Sequence, residues 1–375
     1  MEIIMKFFQD TGHLFLYYII PFVVVLGIMI FFHELGHFLV AKYFKVKVLK
    51  FALGFGPKIF GKEIGETEYS IRYIPLGGFV KMLGEEIEED ETKKISPEDE
   101  KRAFNNQHAI KRIAIVAAGP VFNLLLALLL FCGMYLVSGD YIVTTEIGQV
   151  TENLPASRAG LRQGDIITSV NGQPVESWDE LTERIQDQAC KPITITVQRQ
   201  DSTIDFTVTP EETTVQNEFG EEIKSAVIGI VTAAKYEKRV FTPLEAIGQG
   251  FADTWKWIKL TCIVVVKLFE GAVSIKTLGG PIMIGQLTGE LVQENISYLI
   301  PFMGIISINL GILNLFPIPI LDGGLIIFLL VELIMGRPLS LRKREMAQKI
   351  GFSILIALMF LVFYNDILRM FHSAQ

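Results

Sequence analysis

Hydrophobic positions along the chain fall in long uninterrupted blocks separated by mixed sequence. Four blocks, about residues 14–40, 110–137, 297–316 and 350–367, are apolar for nearly their whole length. Each is close to the roughly 20 helical residues needed to cross a hydrocarbon core of about 30 Å. The stretch 255–273 differs, because Lys256, Lys259, Lys267 and Glu270 interrupt it at spacings that suggest one polar face. It reads as an amphipathic helix lying at the interface, not as a span. Between Glu66 and Lys81 the sequence ETEYSIRYIPLGGFVK alternates and meets Gly77-Gly78. That pattern predicts a strand or hairpin just under the membrane. Within 142–234, Asn171-Gly172 is a hairpin turn pair, Trp178 to Ile185 has helical spacing, and ITITVQR and STIDFTVTP alternate as strands. The acidic run 85–90 and the polar stretch to Arg102 carry no apolar period and read as a solvated linker. The predicted fold is a polytopic α-helical membrane protein with about four transmembrane helices, a membrane-associated β-hairpin and an inserted α+β domain. Its parts are an N-terminal membrane part (1–137), the inserted domain (142–234), an extracytoplasmic interfacial segment (240–295) and a C-terminal membrane part (296–375).

Composition sharpens the class. Half of the 375 residues are hydrophobic, 20% are charged and mean hydropathy is +0.40. So much apolar surface excludes a disordered chain and an ordinary soluble enzyme, since it must meet a very large core or lipid. A net charge of −7 and a pI near 5.4 with no basic face argue against nucleic acid as a partner. An apolar block near the N-terminus can also be a cleaved signal peptide. The length of the run, the lack of a small-x-small cleavage site and the charges inside its end oppose that reading. Positive charges orient the spans. Lys42, Lys45, Lys47 and Lys50 follow the first, Lys111 and Arg112 precede the second, and Arg337, Arg342, Lys343, Arg344 and Lys349 separate the third from the fourth. With four spans these clusters share the cytoplasmic side, which leaves both termini and the segment 138–295 outside.

The first span ends in His33-Glu34-Leu35-Gly36-His37. Residues four apart share a helix face, so both imidazoles can reach one zinc ion while Glu34 stands beside the hydrolytic water. The three cysteines, Cys132, Cys190 and Cys262, have no metal-binding spacing. A hydrolytic zinc takes three protein ligands. The third is expected in the stretch from Asn314 to Gly324, NLFPIPILDGG, where Asp322 is an acid inside apolar sequence broken by prolines. Irregular backbone at membrane depth is tolerated where it is buried in protein or lines a cavity. The competing reading is a turn Asp at a membrane surface.

Together HELGH, the Gly119-Pro120-Val121-Phe122-Asn123 stretch, LGGPIMIGQ from Leu278 and NLFPIPILDGG resemble the site-2 protease family of intramembrane zinc metalloproteases. The resemblance covers nearly the whole chain in order. It implies zinc held by His33, His37 and Asp322, with Glu34 as the catalytic glutamate. It also places Asn309 and Asn314 beside the active site and makes the segment Ile71 to Met82, including Tyr73, the β-region that holds an extended substrate. The stretch GLRQGDIITSVNG matches a PDZ motif, and in the permuted order of such proteases Ile228, Gly229 and Ile230 form the peptide groove. Better-known members of the subgroup carry two tandem PDZ domains, whereas this chain has room for one. The implied activity is cleavage of single-span membrane proteins, already shortened by another protease, in regulated intramembrane proteolysis. An anti-sigma factor in an envelope stress response is one such substrate. The implied location is a bacterial cytoplasmic membrane, with the active site near its cytoplasmic side. Two other classes compete: a non-proteolytic membrane zinc carrier, which needs no Glu34, and an anchored PDZ adaptor, in which His33 and Glu34 can be replaced freely.

Overall fold

A computed structural model describes residue 13 and residues 15–85, 96–186, 188–216 and 222–373. The chain divides into two compact units: 1–134 with 247–268 and 274–375, and 135–246 with 269–273. The first is the membrane part. Four helical stretches in it are long and apolar enough to cross a bilayer, Phe15–Tyr43, Ala109–Val137, Ile296–Asn314 and Arg342–Phe371. They coincide with the four predicted spans, the last being longer at both ends.

Helix α1 (Ile20–Tyr43) continues a π-helical turn at Phe15–Ile19. It leads into two long strands, β1 (Val48–Ile64) and β2 (Thr67–Met82). The stretch read as a strand or hairpin is β2 itself, with Gly77-Gly78 inside it and the turn at Gly65-Glu66. Each strand doubles back, so two strands build a sheet four segments wide. Leu53 pairs with both Gly78 and Ile71, Ile71 also pairs with Phe60, and Ile64 pairs with Thr67. The spatial order is 78–82, 50–53, 68–71, 60–64. Gly77, at φ +126°, makes the bend possible, since a Cβ there would stand 2.0 Å from the Phe55 ring. The base of this sheet is buried. Val48, Phe51, Val80 and Met82 share a core with Ala41, Ile115 and Leu329.

Residues 86–95 of the predicted linker lie outside the described residues. The polar stretch after them is ordered as α2 (Pro97–Lys101), capped by the Ser96 hydroxyl accepting from Asp99 N–H. Helix α3 (Ala109–Val137) is central to the membrane part. A Cβ on Gly36 of α1 would meet the Ala118 carbonyl oxygen at 2.3 Å, so glycine sets that close crossing.

The inserted unit follows, with β3 (Asp140–Val143), β4 (Ile147–Val150), α4 (Pro155–Ala159), β5 (Ile166–Val170), β6 (Gln173–Pro174), α5 (Trp178–Gln186), β7 (Ile193–Arg199), β8 (Ser202–Val208), β9 (Glu211–Gln216), β10 (Glu222–Val227), β11 (Ile230–Thr232) and β12 (Tyr236–Arg239). Strands β6-β5-β7-β8 form one sheet, while β11 pairs β4, β12 pairs β3 and β10 pairs β9. Ile147, Ile167, Leu181, Ile193, Ile195 and Ile228 fill its core, each contributing about 1.5–3 kcal/mol by burial. Buried Asp165 accepts from Arg199 Nε at 2.7 Å and from Arg162 N–H at 2.8 Å. Burial pushes its carboxyl up, but these donors outweigh that and hold it below the usual range.

The chain returns to the membrane part in α6 (Pro243–Glu270), α7 (Pro281–Glu294), α8 (Leu299–Asn314), α9 (Asp322–Met335) and α10 (Leu341–Ser373). Helix α6, which holds nearly all of the predicted interfacial stretch, is not among the four long apolar helices and leaves Leu244, Phe251, Trp255 and Phe269 exposed. Asp366 of α10 caps α7 from a distance, accepting from Gly280, Ile282 and Met283 N–H at 2.9–3.1 Å. Arg112 of α3 pairs with Glu332 of α9.

Candidate metal centre

The centre is assembled from α1, α3 and the start of α9. One turn apart on α1, His33 and His37 bring their Nε2 atoms to 3.2 Å. Asp322 Oδ2 lies 3.1 Å from His33 Nε2 and 3.6 Å from His37 Nε2. These three are the one cluster of metal-ligating side chains among the described residues. Two ligands at about 2.0–2.1 Å on a tetrahedral ion stand about 3.4 Å apart, which these separations match. Asp322 Oδ2 is buried and has no hydrogen bond of ordinary geometry, although two ring nitrogens are this close. Three lone-pair atoms aimed at a common point fit zinc better than they fit one another.

The backbone explains why Asp322 arrives there. Pro317 and Pro319 prevent α8 from continuing, and Leu321, in extended conformation, precedes the first residue of α9. A Cβ on Gly323 would stand 2.1 Å from Leu315 O, and one on Gly324 2.2 Å from Ile318 O. Two glycines after the acid therefore let α9 pack directly against the irregular stretch that leads into it.

Helix α3 faces the histidines with one stripe, Ile115, Gly119 and Asn123. His37 Nδ1 lies 2.9 Å from the Ile115 carbonyl oxygen. A carbonyl only accepts, so Nδ1 carries a proton, and in the neutral ring Nε2 then keeps its lone pair. Gly119 supplies the space, since a Cβ there would lie 2.3 Å from His37 Nε2 and 2.9 Å from His33 Cε1. Asn123, wholly buried, places its amide 3.2 Å from His33 Nδ1.

Glu34 is adjacent to this cluster and beside β2. A Cβ on Gly78 would stand 3.0 Å from Glu34 Cγ. The segment 78–82 pairs with β1 along one edge, and its other edge carries no strand among the described residues. A cavity of about 940 Å³ is lined by Phe79, Val80 and Lys81 together with Ile320, Leu321 and Asp322. The cavity thus brings the Asp322 ligand and the 78–82 edge together, with Glu34 packed against Gly78 of that edge.

The other expected site residues have partners and settings of their own. Asn309 Oδ1 accepts from the Thr261 hydroxyl of α6 at 2.8 Å, and Asn314 ends α8. Ile71 pairs on both sides, with Leu53 and Phe60, so it offers no free edge, and Tyr73 is 73% exposed. In the inserted unit, Ile230 pairs with Val150 while Gly229 adopts φ +84°. Sequence reasoning assigned no role to Asn123 or to the Ile115 carbonyl. An amide inside an apolar span was a signal for the first, because such groups are costly in lipid without a task; a carbonyl leaves no trace in sequence.

Residues 21–358 match the model of Peptidase family M50. The chain belongs to that family. Zinc metalloprotease RasP of Geobacillus kaustophilus is 32% identical, over 94% of this chain and 98% of the relative. The regulator of sigma-W protease RasP of Bacillus subtilis is 31% identical, over 94% and 99%. This M50 protein is accordingly a membrane-embedded zinc metalloprotease with Zn²⁺ as its cofactor. Among solved structures, the PDZ domain of the SdrC-like protein from Listeria monocytogenes is 20% identical over 24% of this chain and 88% of that one, with a TM-score of 0.20. The HtrA3 PDZ domain is 32% identical over 19% and 64%, with a TM-score of 0.17.

Proposed function

We propose that this chain cleaves transmembrane segments of single-span membrane proteins, with His33, His37 and Asp322 holding zinc and Glu34 as general base. The observation that carries the reading is the convergence of the three ligand atoms beside Glu34, with Asp322 lining a cavity that segment 78–82 also borders. Zinc supplies Lewis acidity toward the scissile carbonyl. Glu34 takes a proton from the attacking water and returns it to the leaving amine. A peptide bond within a helix is already hydrogen-bonded and sterically covered, so the substrate must unwind before it is cut. The unwound segment adds as a strand along residues 78–82, beside Glu34, where it displaces the Glu85 carboxylate that accepts from Met82 N–H at 3.2 Å.

Regulated intramembrane proteolysis, with an anti-sigma factor as substrate, is the setting suggested by the regulator of sigma-W protease among the relatives. In this reading the protein lies in a bacterial cytoplasmic membrane, with the Lys42 and Arg342 clusters inside and the inserted domain and both termini outside. The inserted domain is a PDZ module whose groove is Ile228, Gly229 and Ile230, and substrates reach the site after another protease has removed their outer part. Cleavage of a labelled single-span substrate by purified wild type beside Glu34→Gln is the test. The variant is expected to retain zinc and lose about 10²–10⁴ in rate, the ordinary contribution of a general base. Near-normal turnover would remove Glu34 from the chemistry, and zinc retained in both His37→Ala and Asp322→Ala would remove the ligand set.

A further inference from the structure

Among the described residues, Asn123 is the side chain that reaches the far nitrogen of His33, and its own hydrogen bonding is incomplete. Its amide nitrogen stands 3.2 Å from His33 Nδ1. Its Oδ1 is buried with no partner, in a residue of zero exposure. A half-turn of the amide exchanges oxygen and nitrogen, groups of nearly equal size. The exchange moves the unpaired position from the oxygen to the amide N–H, so it gains nothing by itself, but with Oδ1 facing Nδ1 the contact is a hydrogen bond when Nδ1 carries a proton. That is the tautomer a zinc ligand binding through Nε2 requires, and Nε2 is the His33 nitrogen that faces His37 and Asp322.

The position of Asn123 is itself defined. The Ser307 hydroxyl of α8, also wholly buried, donates to the Asn123 carbonyl at 2.8 Å. On α8, Gly304 and Gly311 lie on the same face as Ser307, and a Cβ on Gly311 would come within 3.4 Å of Asn123 Cβ. Ile115 and Asn123, two turns apart on α3, thus serve the two histidines in parallel, one with a backbone carbonyl and one with a side-chain carbonyl.

Resting on the ligand assignment made above, we propose that Asn123 is a positioning residue for zinc: its amide oxygen accepts from His33 Nδ1–H, holding the ring in the Nε2-ligating tautomer and orientation. Partners of this kind typically contribute 10–100-fold to metal affinity.

The test measures zinc affinity of the full-length protein in detergent by competition with a chelator, for wild type, Asn123→Leu, Asn123→Asp and His33→Ala. Thermal melting of the chelator-stripped proteins is measured in parallel. Leucine fills the same volume without an acceptor and is expected to weaken zinc 10–100-fold, with the stripped melting temperature kept within a few degrees. Aspartate keeps an acceptor oxygen and is expected to stay within a few-fold of wild type. Wild-type affinity in Asn123→Leu would overturn the proposal, as would equal losses in the leucine and aspartate variants, because the oxygen would then not be the group that matters. A stripped leucine variant that no longer melts cooperatively would assign Asn123 to packing and overturn it too. The His33→Ala arm separates the two readings. Undiminished zinc there sinks the ligand set, whereas a large loss there with none in Asn123→Leu sinks this inference alone.

Discussion

His33 and His37 are useful to a metal because the atoms around them leave Nε2 free. For His37 the Ile115 carbonyl decides the tautomer, and the space for both rings comes from a missing side chain at Gly119. Gly119→Ala is therefore a sensitive probe. In an ordinary helix interior alanine would stabilise by about 1 kcal/mol relative to glycine. Here its methyl group would collide with His37 Nε2 at 2.3 Å, so the variant is expected to lose zinc at least tenfold. Chelator competition checks the metal, and a melt checks that the helix persists. A variant that binds zinc as wild type does would show that α1 and α3 can separate without disturbing the ligands.

Among the elements, the sheet made by β1 and β2 connects surface electrostatics to the site, since its buried base packs with α1, α3 and α9. Its turn is tied down by Glu66, which accepts from Arg102 Nη1 at 2.8 Å, Arg102 Nη2 at 2.7 Å and Lys42 Nζ at 2.8 Å. The forked Arg102 guanidinium foremost, and Lys42 with it, lower the Glu66 carboxyl from 4.5 to about 2. The folded value lies below the unfolded one, so this contribution is complete above pH about 4.5 and is lost as pH falls toward about 2. Glu66→Gln should flatten the fall in melting temperature across that window. Near neutrality it should cost about 1 kcal/mol, the upper range for a partly exposed pair. Parallel melting curves for the two proteins from pH 6 to pH 3 would contradict the assignment.

At the scale of the whole molecule, every residue of the proposed centre belongs to the membrane unit, and the inserted unit supplies none. The β3–β12 ladder, Asp140 to Val143 against Tyr236 to Arg239, closes the inserted unit at its two chain ends. It also offers a place to cut. Replacing 145–234 with a short Gly-Ser bridge across that ladder should leave zinc stoichiometry unchanged. If the domain screens substrates, the deletion should still cleave a substrate trimmed on its outer side and should cleave the untrimmed precursor faster than wild type does. Loss of cleavage of the trimmed substrate, with zinc retained, would make the domain part of substrate delivery.

Sequence alone determined the features that depend on local periodicity or on a residue's cost in its surroundings. Runs of apolar residues located the four spans, helical spacing placed His33, Glu34 and His37 together, and an acid amid apolar residues singled out Asp322. Tertiary structure decided what depends on pairing between distant segments. Alternation predicted strand at 66–81, but it could not reveal that Ile71 is enclosed between Leu53 and Phe60, or that the outer segment beside Glu34 is 78–82. That follows from strands doubling back, a register set by long-range packing and by the bend at Gly77. Likewise, which nitrogen of His37 is protonated depends on a backbone carbonyl of α3, and a carbonyl is common to all residues and so is invisible in their names.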